Sequence, residues 1–253
     1  MRKVLLLTTL VVFGVAGVAY GAVSNVYVVR GKISPLKSGT KAHPVPISTT
    51  ISYTVTTVPK GQRPNIVKTL QITVQGVQAH TNDFKACSTS RLNDPTEGPS
   101  TCPKGSLIGS GYFIAEIGPS SSQKTVSLTC RADVKLYNGG AGTLSYYAYA
   151  RAGVKGECPL TPMAFAATVK NTAQGLQQTI NIPAPIRHPG ATTDAAAIKA
   201  VVSVPLSTTK VKGKTVGLTE SIACPVNHQR QIKVRFTLEN GKAQLVTRDV
   251  PCK

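Results

Sequence analysis

Acidic residues, tryptophan and helical patterning are what this 253-residue sequence has least of: it holds ten Asp and Glu, no Trp and two Met. The carboxylates form no close pair. Asp94 and Glu97 are nearest, in a proline-bounded loop, so the two facing carboxylates of a glycosidase have little to be built from. No Cys-x-x-Cys occurs, and His43, His80, His188 and His228 are scattered. The usual zinc spacings are therefore missing, and the residues point to no metal. A Walker loop, a Rossmann fingerprint and an EF-hand loop are also absent, so no cofactor is expected. No segment keeps an apolar stripe at 3.6-residue spacing, which excludes coiled coils. A reading helix, zinc finger or RNP-type aromatic motif is lacking too, which argues against sequence-specific nucleic-acid recognition. Charged residues reach only 15%, against about 25% in ordinary globular chains. The 41% hydrophobic content is enough to bury a core and too high for a disordered polyelectrolyte.

The chain opens with the layout of a secretory signal peptide over residues 1–21. Arg2 and Lys3 precede the uncharged apolar stretch Val4–Ala19, and Ala19-Tyr20-Gly21 places small residues at a cleavage junction. This predicts export and cleavage near Gly21 or Ala22, which takes the formal charge from +19 to +17 as Arg2 and Lys3 leave. A retained membrane anchor is the competing reading, since no charge follows Lys3 until Arg30. The strand-like Asn25–Val29 dilutes that run.

Cys87, Cys102, Cys130, Cys158, Cys224 and Cys252 all follow the leader and are even in number. In an oxidising compartment they read as three disulfides, for which about 15 connectivities exist. Sequential pairing is favoured because each neighbouring pair brackets its own turn-containing segment.

Period-2 alternation recurs through the rest of the chain. It predicts strands at 25–33, 50–58, 66–77, 107–117, 125–137, 144–150, 164–170, 176–182, 198–206, 231–238 and 242–250, separated by Gly, Pro and Asn turns. Asp194 could cap one helical turn at Ala195-Ala196-Ala197. The expected fold is all-β, an antiparallel β-sandwich of about eleven strands with local disulfides. Residues 22–253 are expected to form a single domain, with an alternative boundary at residues 118–123. Asn240-Gly241 suits a type I′ turn, which would set Phe236 opposite Leu245 and Leu238 opposite Ala243. A hairpin around residues 138–142 would gather Arg131, Asp133, Lys135, Tyr137, Tyr147 and Tyr149 on one face. That face is either a contact surface or one covered by other parts of the chain.

Phe84-Lys85-Ala86-Cys87 followed by Cys102-Pro103-Lys104-Gly105-Ser106-Leu107-Ile108-Gly109-Ser110-Gly111, with Cys224-Pro225, Phe236, Gly241 and Cys252 near the end, resembles a group of uncharacterised secreted bacterial β-rich proteins. The resemblance covers roughly residues 66–252. It implies an extracellular all-β architecture with local disulfides, and no activity.

Gly109-Ser110-Gly111 lacks the spacing of a nucleophile elbow and reads as a glycine-rich strand start. His80 and Asp83 lie three apart, the one hint of a Ser-His-Asp set. The charge is the global signal, with local density at Lys210, Lys212 and Lys214 and at Arg230, Lys233 and Arg235. One reading is solubility and protection of sheet edges; the other is attraction to an anionic cell-wall or extracellular polymer. The function expected is that of an exported, non-enzymatic surface or binding protein, with Lys210, Lys212, Lys214, Tyr147 and Tyr149 as candidate contacts. The alternative is a secreted hydrolase assembled from dispersed His, Asp and Ser residues.

Overall fold

The computed structural model describes residues 23–150 and 158–253; the leader expected over residues 1–21 lies outside the described residues. In chain order the strands are β1 (Ser24–Ser34), β2 (Val45–Pro46), β3 (Ser48–Val58), β4 (Val67–Val74), β5 (Val77–Ala79), β6 (Leu107–Pro119), β7 (Leu128–Gly140) and β8 (Thr143–Ala150). They continue as β9 (Met163–Thr172), β10 (Gly175–Asn181), β11 (Thr193–Val204), β12 (Thr208–Val211), β13 (Lys214–Gly217), β14 (Thr219–Ser221), β15 (Gln229–Leu238) and β16 (Ala243–Pro251). Two one-turn helices are α1 (Thr89–Leu92), before β6, and α2 (Ala184–Arg187), between β10 and β11. No helix among the described residues is long and apolar enough to cross a membrane.

The eleven alternating stretches become the eleven strands of one antiparallel sheet, ordered β1-β3-β11-β6-β7-β8-β9-β10-β4-β15-β16. A two-stranded ribbon, β12–β13, and a three-stranded sheet, β2-β14-β5, complete it. These five strands hold two to four residues each, too few for alternation to register. Residues 120–127 connect β6 to β7, which are neighbours in the large sheet.

The large sheet curls until its inner faces pack on each other and its two edges, β1 and β16, meet. Alternation drives the curl: on β15, Ile232, Val234 and Phe236 are buried while Arg235 between the last two is exposed. Tyr27 of β1 stacks on Phe236 with centroids 3.8 Å apart, and Tyr53 of β3 meets the same ring edge-on at 5.2 Å. At one end of the seam Lys253 donates its amide to the Leu36 carbonyl, and Ser38 donates to Lys253. At the other end Asn65 donates to the Val23 carbonyl and to Asn25.

Two local expectations are corrected. The β15–β16 register pairs Phe236 with Gln244 and Thr237 with Ala243, one residue away from the expected pairing. Gly241 has φ +81° but Asn240 does not enter the left-handed region. The Gly241 amide donates to the Leu238 carbonyl and the Leu238 amide to Lys242. This is a three-residue loop ending in a left-handed glycine, not a two-residue type I′ turn. A slip of one residue reverses the faces of a strand, and Leu245 is accordingly exposed. The second correction concerns residues 194–197, which continue β11 instead of forming a helical turn. Asp194 serves as an ion-pair partner there and caps nothing.

The disulfides join Cys87 to Cys102, Cys130 to Cys158 and Cys224 to Cys252, the sequential pairing. Cys130 lies within β7, while the other five cysteines lie in connections or just past a strand end. Cys252 donates its amide to His228, fixing the end of β16 to the start of β15.

Because Phe236 contacts both tyrosines across the closure, Phe236→Ala should lower the unfolding free energy by about 3–5 kcal/mol. Urea denaturation of the oxidised protein measures this. A loss below about 1 kcal/mol would mean that the stack is not what holds the seam.

Candidate functional site

The outer face of the sheet carries the clearest cluster of polar chemistry. On β7 and β8, Tyr147 faces Lys135 and Tyr149 faces Asp133. This register differs by two from the one expected around residues 138–142. An even shift preserves the faces, so the residues grouped on one side by alternation do share it. The turn uses Ala141 and Gly142 in the left-handed region, after an irregularity between Asn138 and Gly140. On β6, Tyr112 pairs with Asp133 and joins the same side. A bulge between Ala197 and Lys199 shifts β11 by one residue and places Lys199 beside Ile114 on that side too.

These residues pair cation with ring. The Arg131 guanidinium lies 4.0 Å from the Tyr112 ring centroid, while Lys199 Nζ is 5.7 Å from the same ring and Lys135 Nζ 5.7 Å from Tyr149. The rings of Tyr147 and Tyr149 are 5.8 Å apart and tilted by 31°. Arg131 also meets Asp133 at 3.2 Å, yet its side chain keeps 41% of its surface exposed. Tyr112, Tyr147 and Tyr149 are half-buried. Tyr137 is different. It is buried beneath Cys87 and Leu92, the segment held by the first disulfide. Burial, with Tyr147 and Tyr149 nearby, pushes its hydroxyl pKa up. The covering therefore removes Tyr137 and leaves three rings and three cations accessible.

Lys210, Lys212 and Lys214 lie on the β12–β13 ribbon, apart from the large sheet. All three are exposed, with Lys212 and Gly213 forming its left-handed turn. Lys210 pairs with Thr215 and Val211 with Lys214, so Lys210 and Lys214 point to opposite faces. The structure brings none of them to the tyrosines. Sequence reasoning placed Arg131 and Lys135 beside Tyr147 and Tyr149 but missed Tyr112 and Lys199, which arrive from strands distant in sequence. Two cations leave the surface altogether. Arg230, grouped above with Lys233 and Arg235, is 2% exposed and donates to Ser38, Ser221 and the Ala223 carbonyl. Arg63 is 1% exposed and donates to the Pro119 carbonyl.

Two histidines sit between carboxylates. His80 Nε2 lies 2.9 Å from Glu220 and its Nδ1 3.5 Å from Asp83. His188 Nδ1 lies 2.9 Å from Asp194 and its Nε2 2.8 Å from Glu239. No serine hydroxyl bonds either ring among the described residues. Ser110, between its glycines, sits in the middle of paired strand opposite Lys135 and Ser203. Gly111 is required there, because a Cβ would stand 2.1 Å from the Val201 carbonyl oxygen.

No protein-family model matches the chain, and neither a curated protein nor a solved structure matches it. The functional reading rests on the residues themselves.

The Asp194 pairings have a pH consequence. Burial pushes its carboxyl pKa up, but hydrogen bonds from Ser120 and His188 and the charges of His188 and Arg63 outweigh burial and hold it below 3.8. A depressed carboxylate contributes stability that is fully present above the unfolded value and is lost as pH falls through the folded value. The stability difference between wild type and Asp194→Asn should therefore shrink as pH falls below 3.8. Urea midpoints across an acid series check this.

Proposed function

We propose that this protein is exported and non-enzymatic, and that it acts by binding an anionic polymer at the cell surface or outside the cell. The observation that carries the reading is the outer face of β6, β7, β8 and β11. There Tyr112, Tyr147 and Tyr149 share one face with Arg131, Lys135 and Lys199, with Tyr112 and Tyr149 in ring–cation contact. An extended sheet face suits a polymer better than a compact substrate. Ring faces stack on sugars, and the cations meet phosphate, sulfate or uronate groups. The excess of bases over acids adds long-range attraction of the same sign. Export is supported by three disulfides and by the leader pattern of residues 1–21. The hydrolase reading has less support, because His80 and His188 have both ring nitrogens turned to carboxylates and none aimed at a nucleophile.

Binding of the purified protein to a uronic-acid polymer tests the reading. A variant carrying Arg131→Gln, Lys135→Gln and Lys199→Gln should lose about tenfold in affinity, at roughly 0.5 kcal/mol per exposed charge pair. Its binding should also respond less to salt, since screening shortens charge attraction to roughly 8 Å at physiological ionic strength. Lys210→Gln, Lys212→Gln and Lys214→Gln together should have a smaller effect, because these lysines diverge. Equal losses in the two triple variants would assign the attraction to overall charge and not to this face.

A further inference from the structure

The inner face of the sheet holds a second site. Between the half formed by β3, β11, β6 and β7 and the half formed by β8, β9, β10 and β4 lies a cavity of about 190 Å³. Its origin is a run of small side chains. Ala195, Ala197 and Ala200 of β11 and Ala115 of β6 line it, where the adjacent strand β3 presents Ile51 and Tyr53. Close packing leaves few voids larger than a water in most interiors, so this one is a feature of the design. It runs along the strands. Along β10 and one residue past its end the lining extends from Leu176 to Ile182, roughly 20 Å at 3.3 Å per residue. Inward-pointing Ile72, Leu176, Val202 and Val204 remain only half-buried for the same reason.

The polar groups within are few and specific. Tyr146 accepts a hydrogen bond of 2.6 Å from the Gln178 amide. Tyr53 lines the cavity, and its hydroxyl has no hydrogen-bond partner among the described residues. Burial raises the Tyr53 hydroxyl well above its ordinary pKa, so it remains a neutral donor. The connection that carries α2 from β10 to β11, two strands separated by four others in the sheet, also lines the cavity. Ile186 and Arg187 of α2 face inward there, and Arg187 and His188 anchor the connection to Glu239.

We propose that this cavity binds one single-chain fatty compound, its alkyl chain lying along the strands and an oxygen atom accepting a hydrogen bond from the Tyr53 hydroxyl. The volume slightly exceeds the roughly 150 Å³ of an apolar cavity that takes benzene and is smaller than the roughly 300–1,000 Å³ of drug-sized sites. It fits one chain and not a two-chain lipid. This site is distinct from the polymer-binding face, because the side chains of the two alternate to opposite sides of the same strands; of the residues assigned to that face, Tyr112 alone also lines the cavity.

Calorimetric titration of the purified, disulfide-bonded protein with dodecanol, an uncharged probe, tests the proposal. The expected result is saturable binding at one site with the same affinity at low and high salt. Ala200→Phe, which fills the cavity, should weaken binding at least tenfold, and Ala197→Met does the same work should the first variant not fold. Tyr53→Phe should weaken dodecanol while leaving dodecane, which has no oxygen, unchanged. The Tyr147→Ala, Tyr149→Ala double variant of the outer face should bind as wild type. Absence of saturable binding, binding abolished by salt, or unaltered affinity in a folded cavity-filling variant would overturn the proposal. Equal effects of Tyr53→Phe on dodecanol and dodecane would overturn the hydrogen bond assigned to Tyr53.

Discussion

An eleven-stranded antiparallel sheet must do something with its two edges, and here β1 is laid against β16. The edges close without forming a continuous ladder. Backbone bonds link Leu36 and Ser38 to Lys253 at one end, asparagine side chains link Asn25 to Asn65 at the other, and Tyr27 stacks on Phe236 between them. Closure creates the interior: without it, the apolar residues of β3, β4, β11 and β15 would face water. It also protects edges that would otherwise invite pairing with another chain. Gly31 allows the approach, since a Cβ there would stand 2.2 Å from the Ile232 side chain and 3.3 Å from Val250.

The same strands serve both candidate sites because alternate residues point to opposite faces. Tyr112 looks outward and Phe113 inward; Tyr147 looks outward and Tyr146 inward. Their chemistry differs accordingly. Outer tyrosines sit beside Arg131, Lys135 and Lys199, where water and salt reach them. Tyr146 is enclosed and its pKa is pushed up to about 12 by burial, against the lowering effect of its bond to Gln178. A platform for charged polymer and a slot for an alkyl chain can therefore coexist on opposite faces of the same strands, with Tyr112 common to both.

Charge counted along the chain overstates charge on the surface. Arg63 and Arg230 are enclosed, and burial lowers the pKa of both guanidinium groups. Arg230 gathers Ser38, Ser221 and the Ala223 carbonyl near the third disulfide. Arg63 lies 3.8 Å from Asp194, which continues through His188 to Glu239 and Arg187. That ion chain ties the β3–β4 connection, β11, α2 and the β15–β16 turn into one end of the molecule.

What the amino-acid sequence determined by itself was the local alternation: eleven strands, which residues of β7 and β8 share a face, and sequential disulfides between segments that turn back on themselves. Those properties depend on neighbours a few residues away, and a two-residue period survives any arrangement of the strands. Tertiary structure decided what depends on distant partners. Ala195–Ala197 had a plausible cap in Asp194, yet pairing with β6 satisfies more backbone groups than one isolated turn could. Asn240-Gly241 suggested a two-residue turn, but packing of β15 against β4 and β1 leaves a three-residue loop in place, with Leu245 outside. Lys199 reached the outer face only through a bulge set by its partners on β6, and Tyr112 met Arg131 only through strand order. The apolar cavity was the least legible feature of all, because Ala115 and Ala200 read as ordinary strand residues and Ala195 and Ala197 as a helical turn until closure of the sheet sets their small side chains across from the opposite wall.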